Sequence, residues 1–143
     1  MTLALMTPDD VIHYRSDRKV DAPTFKDILE RSGLAARRPV NNIERLERML
    51  NAYNLILTAW QGESLVGIAT CWTDYAYSAY LADLAVAADM QRCGIGRQLV
   101  DLARAMAGPQ VTLILLSAPA AVDYYPKIGM ERFKDCFIFR RSE

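Results

Sequence analysis

Apolar and polar positions change period several times along the chain, and each change marks an element. Residues 11–20 mix both kinds and predict a first strand near a sheet edge. Asp21 followed by Pro23 has the form of a helix N-cap with proline in the first turn. Phe25, Ile28 and Leu29 give that helix one apolar face, and Gly33 suits its C-terminal stop. A second helix starts at Asn41 or Asn42. Ile43, Leu46, Leu50 and Tyr53 recur at helical spacing, and Glu44, Arg45, Glu47 and Arg48 face out.

After residue 54 the period becomes that of extended chain. Residues 55–60 and 65–75 read as strands joined by the hairpin turn Gln61-Gly62-Glu63-Ser64. Residues 80–86 are apolar on both faces, which predicts a central strand. A glycine-bearing loop at 91–96 leads into a third helix over 96–107, with Leu99, Leu102, Ala103 and Met106 on one face and Gly108-Pro109 at its end. Residues 111–116 predict a strand buried between layers, 120–128 a short helix closed by Gly129, and 133–140 a last strand. The order β-α-α-β-β-β-α-β-α-β predicts a fold of the α+β or α/β class, a mixed sheet with helices on both faces. The 143 residues fit one domain spanning 1–143.

Composition narrows the function. Hydrophobic residues make up 52% and charged residues 24%, the balance of a globular chain. Lys+Arg and Asp+Glu both number 17, so there is no basic excess to displace counterions from nucleic acid. Arg31, Arg37, Arg38, Arg45 and Arg48 are interleaved with Glu30, Glu44 and Glu47 and read as a solvated helical surface. Cys71, Cys93 and Cys136 have neither metal-ligand spacing nor an even count, so no metal site and no disulfide framework is expected. The opening MTLALMTPDD is too soon acidic for a signal peptide, and no apolar run approaches membrane-spanning length. The expectation is a cytoplasmic protein with no membrane partner.

One segment carries chemistry. Residues 86–97 run from a strand straight into a helix, whose N-terminus presents unpaired N–H groups and the positive end of its dipole. Gly94 and Gly96 carry no side chain to hold an anion away from those amides, and Arg92 and Arg97 add charge. The same glycines also suit a plain strand-to-helix turn. The Walker loop is excluded because Gly96 is followed by Arg97-Gln98, and the dinucleotide fingerprint because Leu99 stands where a small residue is needed. The pattern that remains is Gln/Arg-x-x-Gly-x-Gly/Ala, met by Gln91-Arg92-Cys93-Gly94-Ile95-Gly96.

Here the chain resembles the GNAT superfamily of N-acetyltransferases. In that family a Leu-Ala-Val-like triplet precedes the loop by four residues, as Leu84-Ala85-Val86 precedes Gln91. Downstream the family carries Ala-x-x-Phe/Tyr-Tyr-x-Lys-x-Gly-Phe. This chain has Ala121-Val122-Asp123-Tyr124-Tyr125-Pro126-Lys127-Ile128-Gly129-Met130, departing chiefly at Met130. Scattered N-terminal positions (residues 12–14, Asp21, Gly33, Arg37-Arg38 and 54–59) look like the subgroup with serotonin N-acetyltransferase-like proteins.

The resemblance implies a mostly antiparallel sheet in which the strand ending at Val86 splays from a parallel strand near 112–116, with acetyl-CoA in the gap. Its pantetheine arm would pair with the backbone of Leu84, Ala85 and Val86, and its pyrophosphate would rest on amides of Gln91, Arg92, Cys93, Gly94, Ile95, Gly96 and Arg97. The implied reaction is direct attack of an amine on the thioester, with Tyr125 as the acid that protonates the leaving thiolate.

Asp83 is the one acid in an apolar strand. It serves either as base, directly or through water, or as a hydrogen-bonded structural group, because a buried charge must be paired or used. Trp72, Tyr75, Tyr77 and Tyr80 either line an aromatic acceptor pocket or are edge and loop aromatics. His13 has no partner at useful spacing, Asp74 reads as a turn residue, and Cys93 is expected under the cofactor without a catalytic part. The function implied is transfer of an acetyl group to a small, aryl-bearing amine. The rivals are a protein or peptide acceptor, and a regulator that binds acyl-CoA without turnover. A homodimer follows by analogy alone.

Overall fold

The computed structural model describes residues 10–143; the expectation about the first ten residues falls almost wholly outside them. Five strands, β1 (Ile12–Arg15), β2 (Leu55–Gln61), β3 (Ser64–Thr73), β4 (Ser78–Val86) and β5 (Thr112–Leu115), form one sheet in the order β1-β2-β3-β4-β5. The first three pairings are antiparallel and β4–β5 is parallel. Helices α1 (Ala22–Ser32) and α2 (Ile43–Ala52) cover one face, and α3 (Ile95–Ala107) covers the other. A four-residue helix, α4 (Tyr124–Lys127), follows β5.

The helix ends follow from local chemistry. Asp21 accepts from the Thr24 amide at 2.9 Å, and Gly33 closes α1 in the left-handed region. Asn42 caps α2 by accepting from the Arg45 amide at 3.1 Å. Phe25, Ile28 and Leu29 of α1 and Leu46 of α2 are fully buried against the sheet; on the other face, so are Leu99 and Ala103 of α3. No helix among the described residues is long and apolar enough to cross a membrane.

The register of β4 positions the site. Thr70 pairs with Asp83 but Cys71 pairs with Leu81, so Ala82 is an extra residue, a β-bulge. Alternation reverses across it. Leu81 packs with α3, whereas Ala82 and Ala85 pack on the α1–α2 side, and Leu84 returns to the α3 side. Asp83 is thereby turned toward α1 and α2. The parallel pairing with β5 runs only from Ser78↔Thr112 to Leu81↔Leu115, so β4 continues past the bulge with no strand on that side among the described residues. The splayed parallel pair is present.

Four expectations are corrected. The first strand is only Ile12–Arg15, because Arg15 folds onto Asp17 through two 2.8 Å bonds and turns the chain. The strand expected at 111–116 is a four-residue edge strand rather than a buried one. Ile114 is 56% and Leu116 51% exposed, since no helix among the described residues covers that face. Met106 is 44% exposed, its place on α3 taken by Ile95, Val100 and Ala107. Residues 133–140 form no strand: the chain turns at Lys134–Asp135, and Phe137 and Phe139 lie exposed without a ladder to join. Alternating apolar residues favour extension, but a strand exists only where a partner supplies hydrogen bonds.

Candidate active site

The loop after β4 is built to expose amides. A short 3-10 turn at Ala88–Met90 leads to Gln91, whose side-chain amide donates to the Val86 carbonyl at 3.1 Å and folds the loop back on its strand. Arg92 at φ 67 and Gly94 at φ 81 both lie in the left-handed region; for arginine this is a strained conformation of the kind that gathers at functional sites. Gly94 is the N-cap of α3 and offers no side-chain cap, so the first-turn amides have no partner from that residue.

The two glycines differ. A Cβ on Gly94 would meet nothing within 4 Å, whereas one on Gly96 would lie 2.8 Å from the Tyr124 hydroxyl oxygen. The side-chain space at Gly96 is therefore occupied by the Tyr124 hydroxyl of α4, a steric reason for glycine beside any need to keep the amide open. Ile95 is buried and contributes only backbone to the loop. Cys93 is exposed, its Sγ 3.8 Å from the Gln91 carbonyl. Arg97 is exposed and reaches Asp101 only at 3.9 Å.

Beside the free stretch of β4 lies a cavity of about 630 Å³, walled by Leu84, Val86, Gln91, Leu115, Arg38 and Tyr125. Ala85 faces the opposite way, into the α1–α2 core, and does not line this cavity. The Tyr125 hydroxyl makes no hydrogen bond among the described residues. Burial, then Tyr124, push its proton affinity above the ordinary tyrosine value, and the Arg38 guanidinium opposes them. Tyr125 also walls a second cavity of about 570 Å³ that reaches Tyr80 and Ile114. Those two residues also wall a separate pocket of about 420 Å³ with Trp72, Asn54 and Asp74.

Asp83 is 1% exposed, and both its oxygens are engaged. Arg38 Nε donates to Oδ1 at 2.6 Å, while the hydroxyls of Tyr53 and Thr70 donate to Oδ2 at 2.8 and 2.7 Å. Burial and this carboxylate raise the proton affinity of Tyr53, and they push the buried Cys71 thiol up to about 12. Arg38, Tyr53 and Thr70 are partners that sequence reasoning missed. Arg38 lies 45 residues before Asp83, and no spacing rule joins an arginine after one helix to a carboxylate in a later strand.

Of the aromatic group, Trp72 and Tyr80 stack with centroids 5.6 Å apart and wall the pocket together. Tyr75 is tied to the Asn54 carbonyl at 3.2 Å, and Tyr77 is 79% exposed. Asp74 is the expected turn residue, accepting from the amides of Ala76, Tyr77 and Ser78. His13 is exposed on β1, opposite Trp60.

The structure thus has a parallel strand pair that parts beyond Leu81↔Leu115 and a loop that leads from β4 into the start of α3. The family model described as an acetyltransferase (GNAT) domain matches residues 26–140, and the chain belongs to that family of N-acetyltransferases, whose acyl donor is acetyl-CoA. A comparison with curated proteins finds no match. Among solved structures, the chain is similar to a GNAT-family acetyltransferase from Streptococcus pneumoniae TIGR4, at 26% identity and TM-score 0.71, over 93% of this chain and 100% of that one. Glucosamine-6-phosphate N-acetyltransferase from Arabidopsis thaliana shares the fold at 14% identity and TM-score 0.63, over 93% and 99%. So does an aminoglycoside N-acetyltransferase in complex with CoA, at 15% identity and TM-score 0.69, over 92% and 95%.

Proposed function

We propose that this protein moves the acetyl group of acetyl-CoA to a primary amine carried on a small, aryl-bearing molecule. The observation that carries the reading is the stretch of β4 beyond Leu81. Among the described residues it has no strand on its β5 side; it runs into the amide loop and shares a cavity with Tyr125. The donor set fits acetyl-CoA. Extended backbone at Leu84–Val86 suits the amides of the pantetheine arm, and the Gln91–Arg97 loop with Arg92 and Arg97 suits the pyrophosphate. Leu84, Leu115 and Val86 supply apolar walls.

In this reading the amine attacks the thioester carbon with its lone pair, the carbon–sulfur bond breaks, and the thiolate takes a proton. Tyr125 gives that proton. Its raised affinity keeps the hydroxyl protonated through neutral pH, and with no hydrogen-bond partner among the described residues it can turn toward the sulfur. Asp83, with both oxygens engaged, holds the bulge rather than taking the amine proton, which passes to water at the mouth of the cleft. The Trp72–Tyr80 stack supports an aromatic acceptor, because its pocket shares the walls Tyr80 and Ile114 with the cavity at Tyr125.

The test is thiol release from acetyl-CoA by the purified protein against serotonin, tryptamine, polyamines and short peptides. Thiol released with arylalkylamines ahead of the rest supports the reading. Release with peptides alone would transfer it to a protein acceptor. Binding of acetyl-CoA without release would leave the regulator.

A further inference from the structure

We infer that Tyr124 is a positioning residue for Tyr125, seated by its hydroxyl in the side-chain space left open at Gly96 on the first turn of α3. The inference rests on the proposed function in taking Tyr125 as the proton donor. It assigns to the second loop glycine a task other than admitting phosphate.

The contact is specific. A Cβ on Gly96 would lie 2.8 Å from the Tyr124 hydroxyl oxygen but 3.6 Å from its Cζ, and 3.7 Å from Val86 Cγ2. Only the hydroxyl is in the way. The rest of the surroundings are at ordinary van der Waals distance.

The seat matters because α4 is short, and Ile128, its C-cap, is the neighbour that packs on the α3-side core. The helix is four residues long, has no side-chain cap at Asp123, and contains no buried residue. Its two tyrosine rings pack edge to face, with centroids 5.3 Å apart and planes at 74°. A shift of Tyr124 is therefore passed to Tyr125 through their ring contact. The charged groups near the Tyr124 hydroxyl are Arg97 and Asp101 of α3, so the seat belongs to that helix.

Three variants separate the two tasks of Gly96. In Gly96→Ala the new methyl displaces the Tyr124 hydroxyl, and turnover falls on the order of tenfold to a hundredfold, as for a reacting group misplaced by about an ångström. The dissociation constant for acetyl-CoA changes less than about threefold, because the loop amides remain. Tyr124→Phe alone empties the seat and lowers turnover by a smaller factor. In the double variant the methyl fills the space the hydroxyl has left, and turnover returns to within about threefold of Tyr124→Phe. Loss of acetyl-CoA affinity at unchanged turnover in Gly96→Ala would overturn the inference in favour of phosphate approach. So would a double variant no better than Gly96→Ala.

Fluorine NMR of fluorotyrosine-labelled protein reads the seat without any acceptor or turnover. The Tyr125 resonance is expected to move in Gly96→Ala and return in the double variant. A resonance indifferent to Gly96→Ala overturns the inference. Absence of acetyl transfer by the wild-type protein would instead overturn the proposed function.

Discussion

Arg38 grips both residues of the β4 bulge: its Nε donates to Asp83 Oδ1 at 2.6 Å and its Nη2 to the Ala82 carbonyl at 2.8 Å. The arginine comes from the α1–α2 connection and lines the cavity beside β4, so one side chain ties the cavity wall to the bulged strand. Removing one partner of a buried ion pair strands the other charge, at about 3–5 kcal/mol. Arg38→Met is expected to lower unfolding free energy by that order in urea. Arg38→Met with Asp83→Asn should recover much of the loss, because the amide carries no charge. A loss below about 1 kcal/mol for Arg38→Met would reduce the contact to a surface ion pair.

Turnover should depend on the Tyr125 hydroxyl and acetyl-CoA affinity should not. Proton donation to a leaving group contributes about 10²–10⁴-fold, so Tyr125→Phe is expected to lose at least about tenfold in kcat. The loss should shrink with thioesters of more acidic thiols, which need less assistance. Burial raises the Tyr125 proton affinity, so the active, protonated form persists up to and beyond the ordinary tyrosine range. With a weakly basic acceptor, kcat should show no alkaline fall before about pH 10. A well-folded Tyr125→Phe protein with wild-type kcat would remove the residue from the reaction.

Much of this site was legible in the residues, and what was not has a physical cause. Asp21, Asn42 and Gly33 act within three or four positions of themselves, so helix ends could be read directly. The amide loop was equally local. The bulge was not: Leu81, Asp83 and Ala85 alternate like one face of a strand, and only the partner register shows that Ala82 reverses them. Arg38 was hidden for the related reason that its partner is set by that reversal. The edge position of β5 and the unpaired residues 133–140 depend on neighbours, which apolar content does not specify.

Acceptor choice should respond to the aromatic stack. Trp72 is 43% exposed and lies over both Tyr80 and Tyr53, at 5.6 and 5.3 Å between centroids. Aromatic contacts of this kind contribute about 0.5–1.5 kcal/mol beyond area burial. Trp72→Ala is expected to raise KM for an arylalkylamine by roughly threefold to tenfold, and to leave KM for a small aliphatic amine within about twofold. Equal changes for both amines would take the stack out of the acceptor site.

The three cysteines offer a direct reading of donor placement. Cys93 sits exposed in the amide loop, Cys136 is exposed in the C-terminal segment, and Cys71 is fully buried on β3. With iodoacetamide, Cys93 and Cys136 of the native protein should label and Cys71 should not, because burial pushes its thiol up to about 12. That protonated thiol favours the native state, and its contribution is whole below about pH 8.5, where the unfolded thiol also keeps its proton. It declines as pH climbs toward about 12, so Cys71 should remain unlabelled at pH 8 and become reactive only on unfolding. Acetyl-CoA at about a hundred times its dissociation constant should slow Cys93 labelling by up to about a hundredfold, the fraction of protein left free. Cys136 then serves as the internal control. If acetyl-CoA binds yet leaves Cys93 labelling unchanged, the donor does not cover the loop between Gln91 and Arg97. If Cys136 is protected equally, the donor or a donor-induced closure reaches the C-terminal segment as well.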